Sequence, residues 1–513
     1  MIATIYRSSL IFLLIFVLTG CSFNNAKNIV HNNNMIKDQK VQEVVGTVRP
    51  AAVAGSFYGN DEQQLKKQLS QYLVSVVQQK LAAPLAILAP HAGLDYSGAT
   101  AAHSFKQIVG YNFKKVLILA PSHYQLFKGA VVPSFDYYQT PLGKIKIAEE
   151  AKKLVNNKLF QQNLAAEEPE HAIEVELPFL QMVLNDFTIL PILIGSDNNY
   201  EELMQISAEL QKIVDDQTLI VISTDFTHYG PNYGYTPFKN GEQKEKIAEI
   251  DNRAFDLIKK MDAQGFYNYV HDSSVTIDGG TAIPVGLQLL KNIEVIQLAY
   301  QTSGNILNDY TNSVSYAAFA FYPTVKIEIS VDQQKELLEL SRKEIDSTLR
   351  NQKNDFKLKY NDEAVLKGKQ GVFVTLTIND QLRGCIGHII PQEPMIKAIR
   401  DNAVNAALRD SRFSPLTLAE LDKVKIEISL LTVPQLLTGK DYQEKMNKLR
   451  PNIDGVVLIN GDQDATFLPQ VWEQIPDKQE FLKQLSLKAG MSENAWQDPA
   501  TSWYVYQIKG FEE

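Results

Sequence analysis

Three apolar stretches end in residues that bind metals or carry protons. "PLAILAPHAG" runs to His91, "VLILAPSHYQ" to Ser122 and His123, and "LIVISTDFTHYG" to Asp225 and His228. A strand buried on both faces has no need of a terminal imidazole, a group that titrates near neutral pH and ligates iron, copper and zinc. Singly, each histidine reads as a hydrogen-bonded structural residue. Three at equivalent strand ends can converge without any short motif, because one edge of a sheet collects them. Asp225 and His228 form D-x-x-H, in which one residue orients or coordinates while the other moves protons. "EEPEHAIEVELPFL" adds Glu170, His171 and Glu174. On a helix His171 and Glu174 share a face, where they are expected to support the ligands rather than be ligands.

The elements that must position these residues follow from periodicity. From about residue 48 to 325, apolar β-branched runs such as "KVLILAP", "FTILPILIG", "TLIVIST" and "VSYAAFAFY" alternate with amphipathic patterns such as "YEELMQISAELQKIV". Alternation of this kind predicts an α/β domain with a parallel or mixed sheet, whose ligands gather beyond the carboxyl ends of the strands. A boundary falls near "FYPTVKIEIS". There Pro323 stops one unit, and Ser330 with Gln333 can form a capping box for the next helix, whose stripe is Leu337, Ser341, Ile345 and Leu349. "GVFVTLTINDQLRGCIGHI" reads as a hairpin turning at Asn379 and Asp380, with further strands at "KVKIEISLL" and "GVVLING" and helices near 394–408 and 478–490. This second part, 326–513, is a smaller α+β unit.

A chain of 513 residues is long enough for two cores, and 45% apolar with 21% charged residues describes globular material. The net charge of −9 argues against a nucleic-acid partner. The first residues differ: Arg7, an apolar run from Leu10 to Leu18, and small residues before Cys21 have the layout of an export signal. "LTGC" resembles the lipobox of bacterial lipoproteins, which implies a signal over 1–20, lipid on Cys21 and anchoring to the cell envelope. The Asn- and Lys-rich stretch 21–47 is expected to be a flexible tether between membrane and domain. Only Cys21 and Cys385 are present, so a lipidated Cys21 leaves no intrachain disulfide.

"RPAAVAGSFY", "PHAGLDYSG", "PSHY", "EHAIEVELPFLQ" and "STDFTHYG", in this order, resemble the Memo family across nearly the whole of 48–325. The resemblance implies a fold like that of the class III (LigB-like) extradiol dioxygenases and a redox metal held by two histidines and a cysteine. Carried over, the histidines are His91 and His123, with Asp225 and His228 lining the same pocket. The third position departs from the family, since "TIDGGTAIPVG" places Asp278 where the cysteine is expected. A carboxylate is harder than a thiolate and moves preference towards Fe(II), with copper and manganese as alternatives. Gly279 and Gly280 are expected to let a ligand approach closely. His228 is then the acid/base, with Asp225 orienting it or coordinating.

"LRGCIGH", "AALRDSRFSPLTLAEL", "IEISLLT" and "ATFLPQVW" resemble the AMMECR family, whose fusion to a Memo module is accompanied elsewhere by a radical SAM protein. Arg383 beside Gly384 and Cys385 could favour a thiolate, or the cysteine could be inert and buried. These readings combine into a lipid-anchored mononuclear metalloprotein performing redox or oxygen-dependent chemistry on a small molecule. The alternative is a surface protein that binds metal or peptide without turnover.

Overall fold

The computed structural model describes residues 46–239, 241–324, 328–360 and 364–513. The expected signal, Cys21 and nearly all of the expected tether lie outside them. The described residues fall into two compact units, 46–324 and 328–513.

Among the described residues of the first unit, nine strands form one mixed sheet. Its centre is four parallel strands: β1 (Ala86–Ala89), β2 (Lys115–Pro121), β3 (Thr188–Ile194) and β4 (Thr218–Ser223), in the spatial order β1-β4-β2-β3. β1, β2 and β4 are buried at every position. Their runs of Ala, Val, Ile and Leu are therefore continuous rather than alternating, as strands covered on both faces require. Each such Val, Leu or Ile contributes about 1.5–3 kcal/mol by leaving water. β5 (Ile293–Thr302) and β6 (Ser313–Pro323) return antiparallel, β6 against β1 and β5 against β6.

Register is what brings the chemistry together. Ala89 pairs with Ser223 in the parallel β1–β4 ladder, so Pro90-His91 and Thr224-Asp225 leave the sheet side by side. β4 lies between β1 and β2, and the loops after all three strands open at one edge, where such sheets bind ligands. α1 (Leu94–Lys106), α2 (Glu176–Val183), α3 (Tyr200–Gln211) and α4 (Ala282–Leu289) each turn a buried face to the core. α3 starts with a complete capping box between Asn199 and Glu202.

The second unit has two cores. In the first, α5 (Val331–Leu349) begins at the expected Ser330–Gln333 capping box and buries Leu337, Ser341 and Ile345. β7 (Gly371–Ile378) and β8 (Gln381–His388) form the hairpin, with φ of 51° at Asn379 and 60° at Asp380 as a type I′ turn needs. α6 (Met395–Leu408) packs on this hairpin, and Lys425–Leu431 and Ile508–Glu512 complete a four-stranded sheet. The second core gathers Trp472, Trp496 and Trp503 around another four-stranded sheet that includes Gly455–Asn460, Gln463–Phe467 and Ser502–Tyr506.

Candidate metal centre

Two of the three strand-end histidines meet. The rings of His91 and His123 lie 5.2 Å apart, nearly perpendicular at 86°. Asp278 sits between them on a short turn, its Oδ2 3.0 Å from His91 Nε2 and 3.5 Å from His123 Nε2. Its Oδ1 accepts hydrogen bonds from Thr224 Oγ1 at 2.9 Å and the Asp225 backbone N–H at 3.0 Å. The carboxylate is thus fixed at one oxygen and presents the other to both imidazoles.

His171 joins the same cluster, as a member and not merely as its support. Its ring lies 4.4 Å from His123 and 5.4 Å from His91. Its buried Nδ1 makes no hydrogen bond, with Glu170 Oε1 3.5 Å away. The segment from Ala172 to Val175 is turn, and helix begins only at Glu176, so His171 and Glu174 do not share a helical face. Glu174 points elsewhere. Its carboxylate takes Arg49 Nη1 at 2.7 Å, Tyr58 Oη at 2.7 Å and two backbone N–H groups, locking the first described strand onto the domain.

Glu170 takes the supporting role on His123. It accepts from His123 Nδ1 at 2.8 Å through Oε1 and from the His123 backbone N–H at 2.8 Å through Oε2. That arrangement leaves Nε2 facing Asp278, as in the carboxylate–histidine pairs that orient metal ligands. His91 Nδ1 instead meets Ser223 Oγ at 2.8 Å, and its backbone N–H donates to Asp225 Oδ1 at 3.0 Å. Asp225 is buried and grips the backbone of a neighbouring loop rather than His228.

His228 is not among the clustered ligand atoms, but it lies near enough for its charge to act on Asp225. It pairs with the antiparallel β6 instead of extending β4, and its Nδ1 lies 2.9 Å from the Phe226 carbonyl and 3.2 Å from that of Thr276. Its ring packs edge-on against Tyr233 at 5.0 Å.

The electrostatics follow from this packing. Burial pulls the His123 pKa down, but the hydrogen bonds and charges of Asp278 and Glu170 outweigh it and lift the value to about 10. His91 is shifted up in the same way, burial opposing and Asp278 and Asp225 prevailing. Burial followed by the two imidazolium charges pushes His171 down to about 3, so it stays neutral. Asp278 is held well below the usual carboxylate range, its burial overcome by the same two imidazoles. A neutral, unpartnered imidazole nitrogen beside two others and an ionised carboxylate is a donor set suited to a metal ion. The potential ligand atoms of His91, His123 and His171 lie within 4.8 Å of one another, as do those of His91, Asp225 and Asp278.

Gly279 serves the protein and not a ligand. A Cβ there would come within 2.1 Å of Thr224 Oγ1, the hydroxyl that holds Asp278, and one on Gly280 would meet Val270 at 2.9 Å. The expectation of close ligand approach is corrected on that ground.

In the second unit Arg383 falls on an irregularity in the β7–β8 ladder, where the register shifts between Leu376 and Thr377. Its guanidinium pairs with Glu420 at 3.0 Å. Cys385 is half-buried; Thr375 Oγ1 donates to its sulfur at 3.3 Å, and its backbone N–H donates to Asp410 Oδ2 at 2.9 Å. A Cβ at Gly384 would strike the Ala406 carbonyl of α6 at 2.1 Å, so this motif is where helix and hairpin touch.

The family model for Memo-like protein matches residues 49–320, and that for AMMECR1 matches residues 338–511. Protein MEMO1 of Homo sapiens is 32% identical over 289 residues, a match covering 53% of this chain and 96% of that protein. The memo-1 homolog of Caenorhabditis elegans is 30% identical over 287 residues, covering 53% and 81% respectively. A crystal structure of an uncharacterized protein from Pyrococcus horikoshii shares 34% identity over 36% of this chain and 93% of its own, with a TM-score of 0.34.

Proposed function

This chain belongs to the Memo-like protein family through residues 49–320, and from that membership we propose that its histidine cluster holds a divalent metal ion used in redox or oxygen-dependent chemistry on a small molecule. The observation that carries the proposal is Asp278 Oδ2 set between His91 Nε2 and His123 Nε2 at the carboxyl edge of the sheet. His91, His123 and Asp278 would hold the metal, with His171 Nδ1 beside them. Two imidazoles and a carboxylate favour Fe(II), which when bound supplies redox chemistry and open coordination positions; copper and manganese are the alternatives.

The surrounding residues supply the rest. Glu170 keeps the His123 proton on Nδ1. The carbonyls of Phe226 and Thr276 do the same for His228, whose Nε2 is then free to take a proton from a substrate. Phe57 lies 4.8 Å and Tyr124 6.2 Å from the His171 ring, and Tyr233 covers His228, so the walls are aromatic and suit a flat, weakly polar substrate.

The test is metal content and oxygen consumption. Protein purified anaerobically should carry iron in stoichiometric amount and consume oxygen with some member of a catechol panel. His228→Ala should abolish consumption while iron is retained. Bound metal with no consumption by the wild type would favour a non-catalytic metal- or peptide-binding protein. Failure to bind any divalent metal would sink the reading. We also propose attachment to the bacterial envelope through lipid on Cys21, supported by the sequence "LTGC" alone, and a radical SAM partner on family association alone.

A further inference from the structure

The two histidines flanking Asp278 are backed by different chemistry. His123 rests on the Glu170 carboxylate, whereas His91 rests on a hydroxyl. Ser223 Oγ meets three groups: His91 Nδ1 at 2.8 Å, the Ala172 carbonyl at 2.6 Å and Glu176 Oε1 at 2.7 Å. A hydroxyl has one proton and two lone pairs. The Ala172 carbonyl can only accept, so its short contact takes the Ser223 proton. Ser223 must then accept from both other partners. Glu176 can donate only as the protonated acid, and His91 only from Nδ1–H. Any other assignment sets two lone pairs against each other at hydrogen-bond distance.

The surroundings of Glu176 agree with this count. The residue is fully buried on α2, and its Oε2 has no hydrogen-bond partner. An ionised carboxylate with one oxygen orphaned in the core costs several kcal/mol, far more than a neutral acid in the same place. Burial pushes the carboxyl up to about 8, against the opposing pull of Ser223 and His91.

We propose that Glu176 is a positioning residue: as a neutral acid it donates to Ser223, and the pair locks His91 in the Nδ1–H form with Nε2 turned to Asp278. The purpose rests on the metal reading above, while the proton assignment rests on the hydrogen bonds alone. His91 Nε2 is then the atom that exchanges a proton for a metal ion. The two ligands also differ in what backs them: an anion behind His123, a neutral chain behind His91.

Three measurements on the full chain test this. Infrared difference spectra of wild type against Glu176→Gln at neutral pH should show a protonated-carboxyl stretch lost in the variant. Nitrogen-15 NMR of labelled histidines, with His91 assigned by His91→Gln, should show a protonated Nδ1. Zn(II) affinity should be unchanged in Glu176→Gln, whose amide also donates, and about tenfold to hundredfold weaker in Glu176→Leu. If Glu176→Leu does not fold, the isosteric Gln variant carries the decision. A missing carboxyl band, an unprotonated Nδ1, or a Gln variant that loses Zn(II) affinity would each overturn the proposal. Should the wild type bind no Zn(II), the metal reading fails by itself, and the band and the Nδ1 proton still decide the donor chain.

Discussion

Asp278 is the residue on which the proposed centre turns, because it touches both imidazoles and is itself pinned by Thr224 and the Asp225 N–H. Asp278→Ala should therefore lose iron binding and, by leaving the Asp225 N–H without its acceptor, cost about 1–3 kcal/mol in the metal-free protein. Elemental analysis and thermal melts measure the two effects separately. Asp278→Cys should move selectivity from iron towards copper, the softer ion. If Asp278→Ala retains iron while His91→Ala does not, the carboxylate is structural and His171 Nδ1 is the donor to test next. Glu170→Gln, which loses the charge behind His123, should weaken metal binding about tenfold to hundredfold without unfolding the chain.

At the scale of elements, the turn after Ile277 and the β8 motif both depend on close backbone approach. Gly279→Ala should drive Thr224 off Asp278, and the expected result is a folded protein with impaired metal binding. Retention of wild-type affinity would show that the turn can shift without moving the carboxylate. In the second unit Asp410 ties β8 to the segment after α6, accepting from the Cys385 N–H at 2.9 Å and from Arg412 at 2.6 Å. Its burial would raise its pKa, but Arg412 and these N–H groups lower it below the ordinary value of 3.8. A depressed carboxylate stabilises the fold above its unfolded pKa and loses that contribution as pH falls through the folded one. Asp410→Asn should thus cost about 1–3 kcal/mol near neutral pH, and the gap to wild type should close below about pH 4. Denaturant unfolding at two pH values reads this directly. An equal cost at both would mean the charge on Asp410 contributes nothing.

For the whole molecule, each unit has its own buried clusters, the first built on the nine-stranded sheet and the second on two four-stranded sheets. Residues 326–513 expressed alone should give a folded, soluble module with a cooperative melt, and an insoluble product would mean the units depend on one another to fold. Among the described residues no helix is long and apolar enough to cross a membrane, and the proposed attachment rests on the sequence "LTGC" alone. Cys21→Ser should abolish lipid incorporation and leave a precursor of unaltered length. Wild-type protein recovered from the cytosol with Met1 intact would refute the anchor.

Much of this was legible in the residues. Continuous apolar runs announced strands covered on both faces, and what followed each run marked the sheet edge where His91 and His123 meet. The Ser330–Gln333 cap and the Asn379-Asp380 turn are set by side chains within a few residues, so local spacing suffices to find them. Asp278, where the resemblance implies a cysteine, was equally visible, and it lies in the cluster. Other assignments needed the folded chain. His228 looks like a third strand-end histidine, but it pairs antiparallel with β6 and is not one of the clustered ligand atoms. Glu170 and Glu174 stand four residues apart in one stretch, and from the sequence only Glu174, with His171, is expected to support the ligands. Only packing decides that one faces His123 and the other Arg49. Ser223 and Glu176 gave no signal of their own. They reach His91 from 132 and 85 residues away in sequence, through a parallel ladder and a helix. Side-chain periodicity encodes which face of an element is buried. Which buried polar atom meets which partner depends on register between distant segments, and that only the tertiary structure determines.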